Sequence, residues 1–227
     1  MIKGVHATLE RNLAGEETPE APRKVRGADT ERRASILDKA DEVFLEEGFQ
    51  AASMSAIAAR VGGSKGTLYN YFASKEDLFL ACVTRQCEDL RTQMSSLAAE
   101  KGSVRETLTR VGQRYVEVVS SDNVVRRFRM IVAEAERAPE LARAFFETGP
   151  AQGRTLLAEY IERATQAGEL AADDPVRAAD HFLGLCYNRL SKARLCGVEP
   201  APSQKMIEQE VAAAVRVFMA AYGPGAA

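Results

Sequence analysis

The sequence predicts an all-α protein, and three observations carry that reading. Ser, Thr and Asp recur just ahead of segments whose apolar residues return every three or four positions. No segment alternates with the two-residue period of a half-buried strand. Glycine and proline punctuate the chain at Gly62-Gly63, Lys101-Gly102, Gly149-Pro150, Asp174-Pro175, Cys196-Gly197 and Gly223-Pro224, where helices are expected to stop or start. With 227 residues the chain is long enough for one or two domains with a substantial core. The spacing predicts about nine helices, or ten if Gly149-Pro150 interrupts one completely.

Residues 1–30 mix Gly, Glu, Thr and Pro without apolar periodicity and are expected to form a disordered tail. The whole chain is slightly acidic, with 30 Lys plus Arg against 32 Asp plus Glu, so positive charge is a local feature. It concentrates at Arg23, Lys24, Arg26, Arg32 and Arg33, opposed only by Asp29 and Glu31 within residues 23–33. Such a block is either a solvated linker or an arm that contacts phosphates or a minor groove. Ile36, Leu37, Ala40, Val43 and Phe44 then mark a first helix with a Gly48-Phe49 exit.

Residues 53–80 are the most informative stretch. Ser53 is a good N-cap for a helix with Met54, Ile57, Ala58 and Val61 at helical spacing. Gly62 and Gly63 stop that helix in a sharp turn, and Ser64 caps a second one beginning Lys65-Gly66-Thr67-Leu68-Tyr69-Asn70-Tyr71-Phe72. Two short helices about a glycine turn suggest a helix-turn-helix, whose second helix can enter a DNA major groove. Lys65, Thr67, Tyr69, Asn70 and Tyr71 supply donors and flat apolar surface, Gly66 permits close backbone approach, and Leu68 and Phe72 are spaced to face inward.

Farther on, Ser74 and Asp77 open a long helix to about Glu100, and Ser103 with Glu106 forms a second capping box. Val104, Leu108, Val111, Tyr115 and Val118 or Val119 line one face of that next helix. A helix from Val124 to Arg137 is expected to bury Val125, Phe128, Ile131, Val132 and Ala135, with Arg126, Arg127 and Arg129 mostly on a solvated face. The last helices are expected from Pro139 to Gly168, from Pro175 to Cys196 and from Ser203 to Tyr222.

The run Ser64 to Phe72, followed by Ser74-Lys75-Glu76-Asp77-Leu78-Phe79, resembles the DNA-binding domain of the TetR family of bacterial transcriptional regulators. Ile36-Leu37, Ala40, Val43-Phe44 and Gly48-Phe49 extend the likeness over about residues 32–80. A weaker likeness, to the family's AefR-like branch, lies in Pro139-Glu140-Leu141, Gly149-Pro150, Gly168-Glu169-Leu170, Asp174-Pro175 and His181 to Leu185. The resemblance implies a tail over residues 1–30, a helix-turn-helix DNA-binding domain over 31–76, and an effector-binding and dimerisation domain over 77–227. It implies a cytoplasmic homodimer, nucleoid-associated when bound, that represses a palindromic operator until a small molecule releases it. Activation by the same fold remains an alternative. Ser53, Ser64, Lys65, Gly66, Thr67, Tyr69, Asn70, Tyr71 and Lys75 are then the DNA-contacting residues, with Ser53, Ser64 and Lys75 anchoring the backbone.

A pocket inside a helical bundle needs aromatic and a few polar walls, and Gln86, Leu90, Tyr115, Phe128, Tyr160 and His181 are the candidates for a mostly apolar effector. Phe182 and Leu185, with Val211, Val215 and Phe218 on the last helix, are the candidates for a subunit interface, with Phe218 as its anchor.

Other chemistry finds no support. Only His6 and His181 are present, and no HExxH, GxSxG or phosphate-binding loop occurs. Cys82, Cys87, Cys186 and Cys196 lack metal-ligand spacing and are expected as reduced thiols. No catalytic residue, cofactor or metal is therefore expected, and no membrane span is long enough. A helical enzyme or adaptor bundle is the alternative from another class. It lacks a paired nucleophile and base, and an adaptor has no need for Lys65 to Tyr71 at the mouth of a helix.

Overall fold

A computed structural model describes residues 27–225, and among them every regular element is a helix. Arg23, Lys24 and Arg26 lie outside the described residues. The chain divides into two compact units, Met1–Ala34 and Ser35–Ala227. Ten helices are described: α1 (Gly27–Glu47), α2 (Met54–Val61), α3 (Lys65–Tyr69), α4 (Lys75–Ala99), α5 (Val104–Val119), α6 (Asp122–Glu134), α7 (Pro139–Thr148), α8 (Pro150–Gln166), α9 (Pro175–Leu195) and α10 (Gln204–Tyr222). α1 starts at Gly27, four residues earlier than the sequence suggested, so 27–30 belong to a helix rather than a tail.

Local chemistry sets most boundaries. Ser53, Ser64, Ser74, Ser103 and Ser203 each accept a hydrogen bond from a backbone N–H of the helix they precede, as does Asp174. At Ser103 the bond is reciprocated, because the Glu106 carboxylate accepts from the Ser103 N–H at 2.8 Å. Asp77 reaches one residue farther back and accepts from the Ala73 N–H at 3.0 Å. Gly149 ends α7 while Pro150 begins α8, so the break is complete: Pro150 has no N–H with which to continue the earlier helix.

Two apolar clusters organise Ser35–Ala227. The first joins α1, α2 and α3 through Ile36, Phe44, Phe49, Ile57, Leu68 and Phe72, and it extends through α4 to Val83. It also takes in Ile131 of α6 and Leu141 of α7, so it does not stop at residue 76. The second holds α5, α8, α9 and α10 together around Leu108, Ile161, Phe182, Val211 and Phe218. α9 packs on α8 and α10, and α10 also lies along α5. Gly112 of α5 permits that approach: a Cβ there would sit 2.9 Å from a Val211 methyl and 3.1 Å from the Phe182 ring.

α6 departs from expectation. Its inward face carries Val125, Arg127, Ile131 and Glu134, whereas Val132 is 57% exposed and Phe128 only half-buried. Arg127 is buried rather than solvated because its guanidinium pairs with Asp41 of α1, the Nε donating to Oδ1 at 2.7 Å and the Nη2 to Oδ2. Glu134 accepts from the Gln50 side-chain amide at 2.6 Å. Periodicity favoured Val132, but the partners that decide the face are 86 and 84 residues away in sequence.

Four of the five residues expected at a subunit interface serve the chain's own core. Phe182, Val211, Val215 and Phe218 are all buried, and Phe218 packs edge-on to Phe182 at 5.4 Å between ring centroids. Leu185, 39% exposed, is the one that faces outward. Periodicity identifies an apolar stripe, not which surface covers it. Phe218→Ala should therefore lower stability by about 3–5 kcal/mol through the cavity it leaves. A chemical denaturation curve whose midpoint did not move would contradict that placement.

Candidate nucleic-acid interface

The helix-turn-helix is built by three local devices. Gly62 closes α2 in the left-handed conformation (φ 73°), with its N–H donating to the Ala59 carbonyl and the Gly63 N–H to that of Ala58. This paired pattern satisfies the last carbonyls of α2, and a side chain at Gly62 would be strained there. Ser64 then caps α3, its Oγ accepting from the Thr67 N–H at 3.0 Å and lying 2.9 Å from the Thr67 hydroxyl. α3 has only five residues, after which the Tyr71 and Phe72 N–H groups both donate to the Leu68 carbonyl in a final tight turn.

Packing fixes which face of α3 is free. Leu68 and Phe72 are buried against the α1–α2 core, as their spacing predicted. Lys65, Gly66, Tyr69 and Asn70 are exposed, Thr67 and Tyr71 half-buried. Tyr69 is 47% exposed, and the Lys65 ammonium stands 5.8 Å from its ring centroid, so the two present one cationic, aromatic surface. A Cβ at Gly66 would meet nothing closer than the Ser64 Oγ at 3.6 Å, so the backbone is open to solvent there.

Lys75 has a different duty from the phosphate contact the sequence suggested. Its ammonium donates to the carbonyls of Phe49 (2.7 Å), Gln50 (3.3 Å) and Ala52 (3.1 Å) and lies 4.5 Å from the Phe49 ring centroid. Those carbonyls belong to the loop after α1, so Lys75 ties the start of α4 to that loop. Ser53 likewise holds an intramolecular bond, accepting from the Ala56 N–H at 3.1 Å, while remaining exposed. Arg60 of α2 pairs with Glu46 of α1 at 2.7 Å; at such exposure the pair contributes little.

The residues expected around an effector are not gathered in one place. Tyr115 meets the Tyr187 ring edge-on at 6.4 Å beside the second core, and burial pushes its phenol up to about 12. Tyr160 packs against the same core; Phe128 instead meets the Phe145 ring at a tilt, 5.9 Å between centroids. Gln86 and Leu90 are half-buried on α4. His181 is exposed, with Nδ1 2.6 Å from the Tyr222 hydroxyl. None of the six lines the cavity of about 430 Å³ that lies between α6 and the α9–α10 connection.

The cysteines are free thiols. Burial pushes both Cys82 and Cys186 up to about 12, leaving them unreactive. No metal-binding cluster occurs among the described residues. No described helix is long and apolar enough to cross a membrane.

A capped helix-turn-helix carried on an all-helical body defines a DNA-binding transcriptional regulator, and comparison with known proteins agrees. Residues 36–82 match the family described as bacterial regulatory proteins, tetR family, and residues 106–224 match the AefR-like transcriptional repressor C-terminal domain. The chain belongs to the TetR family of bacterial regulators. It is 32% identical over 145 residues to the transcriptional regulator UidR of Escherichia coli K12, spanning 62% of this chain and 70% of that one. It is also 33% identical over 93 residues to the transcriptional activator FasR of Mycolicibacterium smegmatis, but covers only 42% of its length. Among solved structures, the flavonoid-responsive regulator FrrA superposes with a TM-score of 0.71 and 34% identity, covering 86% of this chain and 99% of that one. A TetR-family regulator from Mesorhizobium loti reaches a TM-score of 0.80 at 26% identity, covering 86% and 98%. Regulators of this fold are not enzymes.

Two substitutions separate reading from folding. Tyr69→Ala should weaken specific DNA binding by about 1–3 kcal/mol and leave the circular dichroism spectrum unchanged. Lys75→Met removes charged donors from three carbonyls and should instead lower stability, by about 1.5–3 kcal/mol, measured as a lower urea midpoint.

Proposed function

We propose that the protein is a repressor that binds a palindromic operator as a homodimer and leaves it when a small, mostly apolar molecule binds. The observation that carries the reading is the division of α3 and the turn after it, where Leu68 and Phe72 are locked into the core while Lys65, Gly66, Tyr69 and Asn70 face solvent. Thr67 and Tyr71 belong to the same run and are half-buried, and the exposed helix caps Ser53 and Ser64 are assigned to the DNA contact with them. Repression rather than activation is favoured by the match of residues 106–224 to a repressor's C-terminal domain. The functional boundary falls at 76/77, with effector binding and assembly assigned to 77–227, and the cytoplasm is where such a protein meets its operator.

Dimerisation belongs to the outer faces of α9 and α10. Leu185 on α9 and Val217 on α10 are exposed large apolar side chains, and Ala212, Ala220 and Ala221 are small exposed neighbours on α10. Small residues allow helices from two subunits to approach closely, and a two-fold axis would set the two α3 helices roughly 34–36 Å apart, one DNA turn. Leu185→Asp should turn the dimer into a folded monomer, because Leu185 stands outside the core. Sedimentation showing wild-type monomer at micromolar concentration would contradict the assembly.

The effector reading draws on two similar structures. FrrA is flavonoid-responsive, and a Bacillus subtilis FadR of the same fold was solved with stearoyl-CoA. The half-buried aromatics Tyr115, Tyr160 and Phe128 suit a ligand of apolar or aromatic character, and Gln86, Leu90 and His181 complete the candidate set. Selection of bound sequences from a random DNA pool tests the reading. The expected product is a palindrome bound less tightly in the presence of a ligand that raises the melting temperature, since the linkage is reciprocal. No enriched sequence, or stabilising ligands that never alter affinity for the selected site, would contradict it.

A further inference from the structure

We propose that the cavity between α6 and the α9–α10 connection is a second ligand site, one that takes a small organic carboxylate on an apolar skeleton and reports to the DNA-reading helices through α6. At about 430 Å³ its volume lies within the range of small-molecule sites. It is apart from the aromatic residues assigned to an effector above, none of which lines it.

Charge selects the class of ligand. Three arginines line the cavity, and one of them is already neutralised: Arg194 is buried, pairs with Asp122, and donates its Nε to the Ser120 carbonyl at 3.0 Å. Arg129 has no carboxylate partner among the described residues. Its donors go to the Leu195 and Arg194 carbonyls, at 2.8 and 2.7 Å, where they cap the end of α9. Arg126, one turn earlier on the same face of α6, is exposed and makes no hydrogen bond or ion pair among the described residues. The remaining carboxylate of the lining, Glu199, is exposed, and the nearby Arg189 is itself paired with Glu210 at 2.6 Å. Two guanidinium groups thus line a concave site without a carboxylate bonded to either, and a guanidinium fork matches a carboxylate's two oxygens.

The walls supply the apolar part. Val125 is buried at the base of α6, while Val198 at the rim is 75% exposed, the most exposed large apolar side chain in the described residues. A smaller hollow of about 110 Å³ shares Arg194, Glu199 and Pro200 with the first and is lined further by Leu190 and Met206. A flat apolar body seated on Val198 with its carboxylate toward Arg126 would cover what solvent now touches.

α6 connects this cavity to the reader. Asp122, Val125, Arg126 and Arg129 face the cavity, while Arg127, Ile131 and Glu134 grip α1 and the loop after it through Asp41, the first core and Gln50. One thirteen-residue helix therefore carries both contact sets. A ligand bound between Arg126 and the α9–α10 connection biases α6, and with it α1, by whatever difference in affinity it has for the two positions. This coupling rests on the DNA-binding regulator reading; the binding does not.

The test uses the full chain, with 2-naphthoate as the probe and neutral 2-naphthamide as its control. Calorimetric titration without DNA should show naphthoate binding, weaker binding of naphthamide, and an affinity for naphthoate that falls about tenfold in Arg126→Gln. Val198→Asp, which places a negative charge at the exposed rim, should weaken it as well. No heat with millimolar naphthoate, equal binding of the amide, or unchanged affinity in both variants would overturn the site. Fluorescence anisotropy on the selected DNA site should then show that naphthoate shifts wild-type affinity, and that the shift is lost in Arg126→Gln. Binding without any such shift would overturn the coupling. Failure of the ligand-free wild type to bind any DNA would instead contradict the regulator reading and leave the calorimetry to decide the site.

Discussion

A five-residue helix cannot hold itself together in water, because nucleation costs more than one turn of hydrogen bonds returns. The DNA-reading surface therefore depends on the burial of Leu68 and Phe72 beneath it. These two side chains enter a core whose centre is aromatic: Phe79 meets Phe44 edge-on at 4.9 Å and Phe49 at 5.0 Å. Phe79 lies on α4, Phe44 on α1 and Phe49 in the loop between α1 and α2, so the three rings bring together the segments that carry α3. Lys75 adds a polar tie by holding three carbonyls of that same loop. With its base fixed in this way, α3 can present Lys65, Tyr69 and Asn70 in one orientation, and little ordering remains to be done when DNA arrives.

The same core explains how the reader and the body of the protein can influence each other. Ile131 and Leu141 contribute to it from α6 and α7, so no layer of solvent separates the helix-turn-helix from the helices beyond α4. The buried pair of Arg127 with Asp41 makes the contact selective as well as apolar. Sliding α6 along α1 would leave the buried guanidinium without its half-buried carboxylate partner, which is unfavourable. A displacement of α6 is therefore expected to move α1 with it, and such discrete arrangements are what a bound ligand can choose between.

Much of this was legible in the sequence, and the reason is locality. Ser53, Ser64, Ser74, Ser103 and Asp174 announce helix starts through bonds made three residues away, and Gly62 announces a stop through its own φ angle. The inward setting of Leu68 and Phe72 followed from their spacing alone. What the sequence could not settle depended on distant partners. Arg127 reads as a surface arginine until Asp41 is placed beside it, and Lys75 as a phosphate anchor until the loop carbonyls fold back onto it. Phe218 and Phe182 form an apolar stripe suited equally to a neighbouring helix of the same chain or to a second subunit, and here Gly112 lets α5 be that neighbour. The effector candidates are not gathered in one place, since an aromatic side chain in a helical bundle looks the same whether it fills a core or walls a cavity.

Hydrogen–deuterium exchange of the full chain, with and without its DNA site, reads out whether α3 and its caps are the surface that meets DNA. DNA should slow exchange at the amides of Ser64 to Tyr71 and at the start of α2, where exposed backbone meets phosphate. The amides around Val83, already held in the core, should change little. Unaltered exchange over Ser64 to Tyr71, with new protection elsewhere on the surface, would contradict that assignment.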